Sequence, residues 1–163
     1  MDDHHPEFQG SLPPAHQVEL FVGRWLESRD NTDIVVHEKR IAPTLADRKE
    51  YADSGDLEWV SKDGVPLRGE VKGSGHCFTP DPSEFSWPTR IWIDRVETCD
   101  AKDPPPDWYF IVSKDRKTII SVSCQTKPDW GKAYAQHRFT KIWNETYTTR
   151  LIDVDFHDSS AVD

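Results

Sequence analysis

The chain has 163 residues, 36% hydrophobic and 30% charged, enough for one domain and too few for two independent cores. Its formal net charge of -9 disfavours nucleic acid and anionic membranes as partners, because both need a basic footprint. Seven Trp, seven Phe and four Tyr supply much of the core and equally suit the wall of a pocket for a flat or greasy ligand.

Residues 1–14 are polar and Pro-rich and read as a flexible arm; 14–21 suit one or two helical turns, with Pro14 in the first turn. Residues 22–29, opened by Gly23-Arg24-Trp25, read as the first strand, and the β-branched run 32–40 as its hairpin partner across Asp30-Asn31. A loop around Pro43 and a short strand over 48–53 follow. Residues 56–61 form the next strand, ending in the turn signal Lys62-Asp63-Gly64. Residues 65–78 are extended but interrupted by Gly69, Gly73 and Gly75, which suggest bulges or bends.

A Pro-rich loop over 79–88 leads to an alternating strand over 89–97, and a triple-proline loop closes 100–106. Residues 107–113 and 117–124 form a hairpin across Lys114-Asp115-Arg116. A loop over 126–131 precedes the long strand 132–143, and the β-branched segment 146–154 can pair as well. These eight or nine short strands predict an all-β fold, with the domain over 15–155 and a polar tail over 156–163.

Cys77, Cys99 and Cys124 allow one bridge at most and no disulfide framework. The polar start and the absence of a long apolar run point to a cytoplasmic, reduced protein with no membrane partner, monomeric or homodimeric.

The Gly23-Arg24-Trp25 triplet at the start of a chain of strands resembles the opening of a lipocalin barrel. The hairpin from Asp107 to Cys124 resembles the late hairpin of that family, with Asp115 matching the acidic turn residue. Arg138 or Lys141 fits the basic residue that packs over the first-strand Trp. Asp107-Trp108-Tyr109, Asp129-Trp130-Gly131 and Tyr134 also resemble the lipocalin domain of violaxanthin de-epoxidase. No Cys-rich segment accompanies them here, so that enzyme's activity is not implied. The resemblance covers residues 18–143 and implies a single antiparallel eight- to nine-stranded calycin barrel with one open mouth. Trp25 would close its narrow end, Gly23 would let another segment pack close, and the cup would hold a hydrophobic molecule.

Chemistry-bearing motifs are sparse. His4, His5, His16, His37, His76, His137 and His157 are scattered without metal-ligand spacing, so no metal is expected. Gly73-Ser74-Gly75 lacks the helix that a phosphate-binding loop needs, and Ser74 lacks a nucleophile elbow. Cys77 and His76 would point to opposite faces of a strand. On a strand, Glu27 would share the inner side with Trp25, where an apolar cup would raise its pKa. Glu27, His76 and His137 are therefore the candidate acid–base residues, and Trp25, Trp59, Trp92, Tyr109 and Trp130 the candidate ligand wall, beside Trp87. Against each stands a plainer role, as a paired surface carboxylate, a hydrogen-bonded His or core filler. The pattern suits a cofactor-independent isomerase or cyclase that positions one conformer of a hydrophobic substrate, with proton transfer from one side chain. A non-catalytic carrier of a hydrophobic small molecule is the alternative.

Overall fold

A computed structural model describes residues 14–37, 56–85, 90–136 and 140–162. The fold is mostly β-sheet behind one N-terminal helix. Helix α1 spans Pro14–Ser28. Among the described residues nine strands follow: β1 Thr32–Val36, β2 Leu57–Val60, β3 Pro66–Gly73, β4 Arg90–Arg95, β5 Trp108–Val112, β6 Thr118–Ser123, β7 Gly131–Gln136, β8 Trp143–Arg150 and β9 Asp155–Asp158. A second, short helix α2, Val96–Asp100, follows β4 directly.

The strand expected over 22–29 is therefore the second half of α1, and the reason is periodicity. Val18, Phe21, Val22, Trp25 and Leu26 recur at helical spacing and put one apolar stripe on the sheet. The helical start expected from Pro14 holds and continues seven residues past Phe21 to Ser28. Its C-terminus is closed by Asn31, whose side chain donates to the Leu26 carbonyl at 2.8 Å, after Asp30 turns left-handed at φ 68°. Gly23 does admit a close neighbour: a Cβ there would stand 3.2 Å from methyls of Ile34 and Val36 on β1.

The strands form a six-stranded sheet, in the order β1-β2-β3-β5-β6-β9, and a three-stranded sheet, β4-β8-β7. Among the described residues no strand pairing joins the two sheets into a closed barrel. Pairing is also not wholly antiparallel as expected, because β3 and β5 run parallel from Gly69↔Trp108 to Gly73↔Val112. The expected turn at Lys62-Asp63-Gly64 links β2 and β3, with Gly64 at φ 81°. The hairpin across Lys114-Asp115-Arg116 links β5 and β6. Asp115 accepts from the Ser113 hydroxyl at 2.8 Å and the Lys117 amide at 3.1 Å, which holds its carboxyl below the usual range. The ending expected as a polar tail contributes β9, paired with β6 from Thr118↔Asp158 to Ser121↔Asp155. The expected short strand over 48–53 lies outside the described residues.

Three layers result. α1 covers one face of the six-stranded sheet through Phe21, Val22, Trp25 and Leu26 against Trp59, Val71, Phe110 and Ile119. The three-stranded sheet covers the other face through Ile91, Ile93 and Tyr147 against Tyr109, Ile120 and Val122. Successive residues of β5 alternate between these cores, Tyr109 and Ile111 on one side, Phe110 and Val112 on the other. This is why β5 and β6 read as near-continuous apolar runs instead of alternating ones. Glycine is required at position 69 in β3, where a Cβ would stand 2.9 Å from ring atoms of both Phe110 and Trp59.

Candidate ligand cavity between the sheets

A cavity of about 830 Å³ opens beside the second core. Ile111 of β5 and Ile120 of β6 form part of its wall, and Lys72 and Gly73 close β3 against it. The loop after β3 contributes Ser74, His76, Cys77 and Phe78, and the next turn adds Glu84 and Phe85. The three-stranded sheet supplies Arg90, Ile91 and Trp92 from β4, Tyr134 from β7 and Trp143 from β8. Tyr134 and Trp143 remain largely exposed despite their size, 67% and 61%, which places two aromatic rings at the rim. Phe78 and Phe85 pack edge to face at 5.7 Å, and both meet Phe156 of β9, so this aromatic wall is braced from behind.

The loop carrying His76 is fixed through its backbone. Lys114 N donates to the His76 carbonyl at 3.0 Å, and Phe78 N donates to the buried Ser113 hydroxyl at 3.0 Å. The Asp115 turn thus orders one side of the cavity through Ser113.

Behind the wall lies a polar chain. The Tyr109 hydroxyl donates to Asp94 Oδ2 at 2.8 Å, and Lys72 Nζ stands 3.2 Å from Asp94 Oδ1. Burial, the contact with Cys99 and the Asp94 charge all raise the Tyr109 pKa, so the phenol stays protonated. Burial also raises the Cys99 thiol, and pushes Cys124 up to about 12, which leaves both as inert thiols. Lys72 is the one member of this chain that lines the cavity.

A second polar group sits where β2 meets β3. Glu70 is buried beside Asp56, whose Oδ2 accepts the Val71 amide at 2.7 Å, and Lys102 Nζ lies 3.1 Å from Glu70 Oε1. Burial first, then the Asp56 charge, raise Glu70 to about 7, against the opposing pull of Lys102. On the helix-covered face, Ser121 Oγ and His157 Nε2 are 2.8 Å apart beneath Trp25, and burial followed by the Arg29 charge lowers the His157 pKa.

The residues expected from the sequence divide sharply. His76 and Trp92 line the cavity. Glu27 does not: it is exposed on α1, about 200° around the helix from Trp25, which is buried in the opposite core. Trp25 closes no barrel end; it packs on Phe110 at 5.9 Å and carries the Arg29 guanidinium 5.1 Å above its ring. The cation over Trp25 is therefore Arg29, while Lys141 is exposed and Arg138 lies outside the described residues. Trp59 is core on the helix side, its ring tilted against Phe110 at 5.6 Å. Tyr109 is fully buried, and Trp130 wedges between Tyr109 and Tyr147 with its Nε1 donating to Thr126 at 2.9 Å. His137 and Trp87 lie outside the described residues.

Lys72, Arg90, Phe78, Phe85, Tyr134 and Trp143 are among the cavity residues that the sequence does not single out as a site. Exposed aromatics near the end of a strand were the one available signal. Among the described residues, no three His, Cys, Asp or Glu side chains gather as a metal site, and no helix is long and apolar enough to cross a membrane. Comparison with protein-family models, curated proteins and solved structures finds no match to this chain. The function must be argued from the cavity.

Proposed function

We propose that the protein binds an apolar or aromatic small molecule in the cavity between its two sheets. One observation carries this reading: a space of about 830 Å³ walled by Ile111, Ile120, Phe78, Phe85 and Trp92, with a few polar groups at its edge. That is the size and lining of small-molecule sites. The lipocalin-like resemblance belongs to the same proposal, since two sheets around a partly open space make a cup. A calycin barrel would in addition need backbone pairing between the sheets, which inter-strand amide contacts measured by NMR test directly.

The test of binding uses the neutral dye phenylnaphthylamine, which fluoresces in apolar surroundings. It should bind the protein with micromolar affinity, and Ala135→Trp, which fills the cavity at β7, should weaken it about tenfold or more. A dye affinity unchanged by Ala135→Trp would overturn the reading. Native mass spectrometry of protein isolated from its host's extract would then reveal the natural occupant.

A cofactor-independent isomerase or cyclase is the second reading, and His76 and Lys72 on the wall favour it. Positioning would supply most of the rate and one of these side chains the proton transfer. It requires His76→Ala or Lys72→Met to slow conversion of the co-purified ligand by about 10²-fold.

A further inference from the structure

We propose that Tyr134 and Trp143 form an aromatic clamp at the mouth of this cavity, and that the occupant carries a planar conjugated ring held between them. This inference rests on the binding function proposed above and narrows the chemical class of its ligand.

The register of the smaller sheet puts both rings on the cavity side. Lys132 stands opposite Tyr147, whose ring lies in the second core. Side chains two and four residues further along each strand point the same way, so Tyr134, Glu145, Gln136 and Trp143 share that face. Tyr134 pairs with Glu145 and Gln136 with Trp143, which makes Tyr134 and Trp143 diagonal neighbours on β7 and β8. Both line the cavity, past Tyr147, the last core residue of β8 in that direction.

Neither ring is used by the fold. Trp25, Trp59, Trp130 and Tyr147 each rest against another aromatic ring. Tyr134 and Trp143 are 67% and 61% exposed, and among the described residues neither side chain has an aromatic, cationic or hydrogen-bonding partner. Their spacing suits a flat guest. Diagonal neighbours on an antiparallel pair stand about 7–8 Å apart. Two carbon–carbon contacts of about 3.5–4.0 Å fill that gap, which is one planar ring between two others. A saturated ring is puckered and thicker, and offers no π face to either side chain. Ile111 and Ile120 on the facing sheet then meet the rest of the molecule.

Equilibrium dialysis of two neutral alcohols with one carbon skeleton, naphthylmethanol and decahydronaphthylmethanol, tests this. The saturated alcohol is the more apolar, so a cavity that sorts by hydrophobicity alone binds it more tightly. The clamp should reverse that order, with naphthylmethanol bound about tenfold tighter, since each ring contact is worth about two- to tenfold. Trp143→Leu and Tyr134→Leu keep apolar bulk but remove a ring, and each should cut the preference about threefold. The double variant should bind the saturated alcohol at least as well as the aromatic one. Trp143→Phe keeps a ring and should retain most of the preference. Circular dichroism confirms that the variants fold; should the double variant fail to, the contrast between Trp143→Phe and Trp143→Leu decides. Three results overturn the inference and leave the binding function standing: a parent protein that binds the saturated alcohol as tightly as the aromatic one, a preference that survives the double substitution, or a Trp143→Phe variant that loses as much as Trp143→Leu. Failure of the parent protein to bind both alcohols and phenylnaphthylamine overturns both.

Discussion

Replacing Glu70 by glutamine should flatten the dependence of stability on pH between about 4.5 and 7. Glu70 is held at about 7 in the folded protein against an ordinary value of 4.5, chiefly by burial and secondarily by the Asp56 charge. The folded state therefore binds a proton that the unfolded state has released. Stability from this group is fully present below pH 4.5 and is lost as pH rises toward 7. The full span is about 3 kcal/mol, the opposing pull of Lys102 already being contained in the folded value, and relaxation around the carboxylate reduces it. His157 works in the opposite direction: its folded pKa is lowered, so its contribution grows as pH rises toward the ordinary value of 6.5. The carboxylates of Asp81, Asp100, Asp115 and Asp158, all lowered, act only at more acidic pH. Comparing urea denaturation of the parent and of Glu70→Gln at each pH from about 5 to 8 cancels these shared terms. The glutamine variant should gain on the parent steadily, reaching about 2 kcal/mol by pH 8, or about 4–8 °C in Tm for a chain of this length. A difference that stays constant across that range would refute the reasoning, because it would mean that Glu70 titrates alike folded and unfolded.

Gly69→Ala should cost about 1–3 kcal/mol in chemical denaturation, since its Cβ meets the Phe110 and Trp59 rings and neither can swing away from the core. Tyr109→Phe should cost about 1–3 kcal/mol in the same assay by leaving a buried oxygen of Asp94 without its donor, with Lys72 still in place. Glu27→Gln should change stability by less than about 0.5 kcal/mol and leave dye affinity alone, the result expected of an exposed helix residue and not of a pocket acid.

The sequence made the central hairpin legible for a physical reason. Trp108–Val112 and Thr118–Ser123 are buried on both faces, and such strands announce themselves as apolar runs bounded by a turn. Asp115 was legible too, because a short acidic side chain at a turn has a local job to do. The first element was misread at Gly23-Arg24-Trp25. The helical signal is the spacing of Val18, Phe21, Val22, Trp25 and Leu26, which the three-residue motif masks. With 22–28 helical, Glu27 turns outward, so the difference between a period of two and a period of 3.6 decides whether it faces a pocket or solvent.

The cavity was harder to read because its residues meet only through long-range pairing. Ile111 and Ile120 come from one hairpin, but Arg90, Tyr134 and Trp143 reach the site through β4-β8-β7, where β8 inserts between strands that precede it in the chain. No local pattern encodes that insertion. The same insertion sets the seat of Arg90, because Thr148 of β8 must stand between β4 and β7 before Gly131 can leave room for a guanidinium. In sequence, Arg90 begins an ordinary alternating strand and Gly131 ends a loop. Only their meeting across Thr148 fixes the Arg90 guanidinium in place.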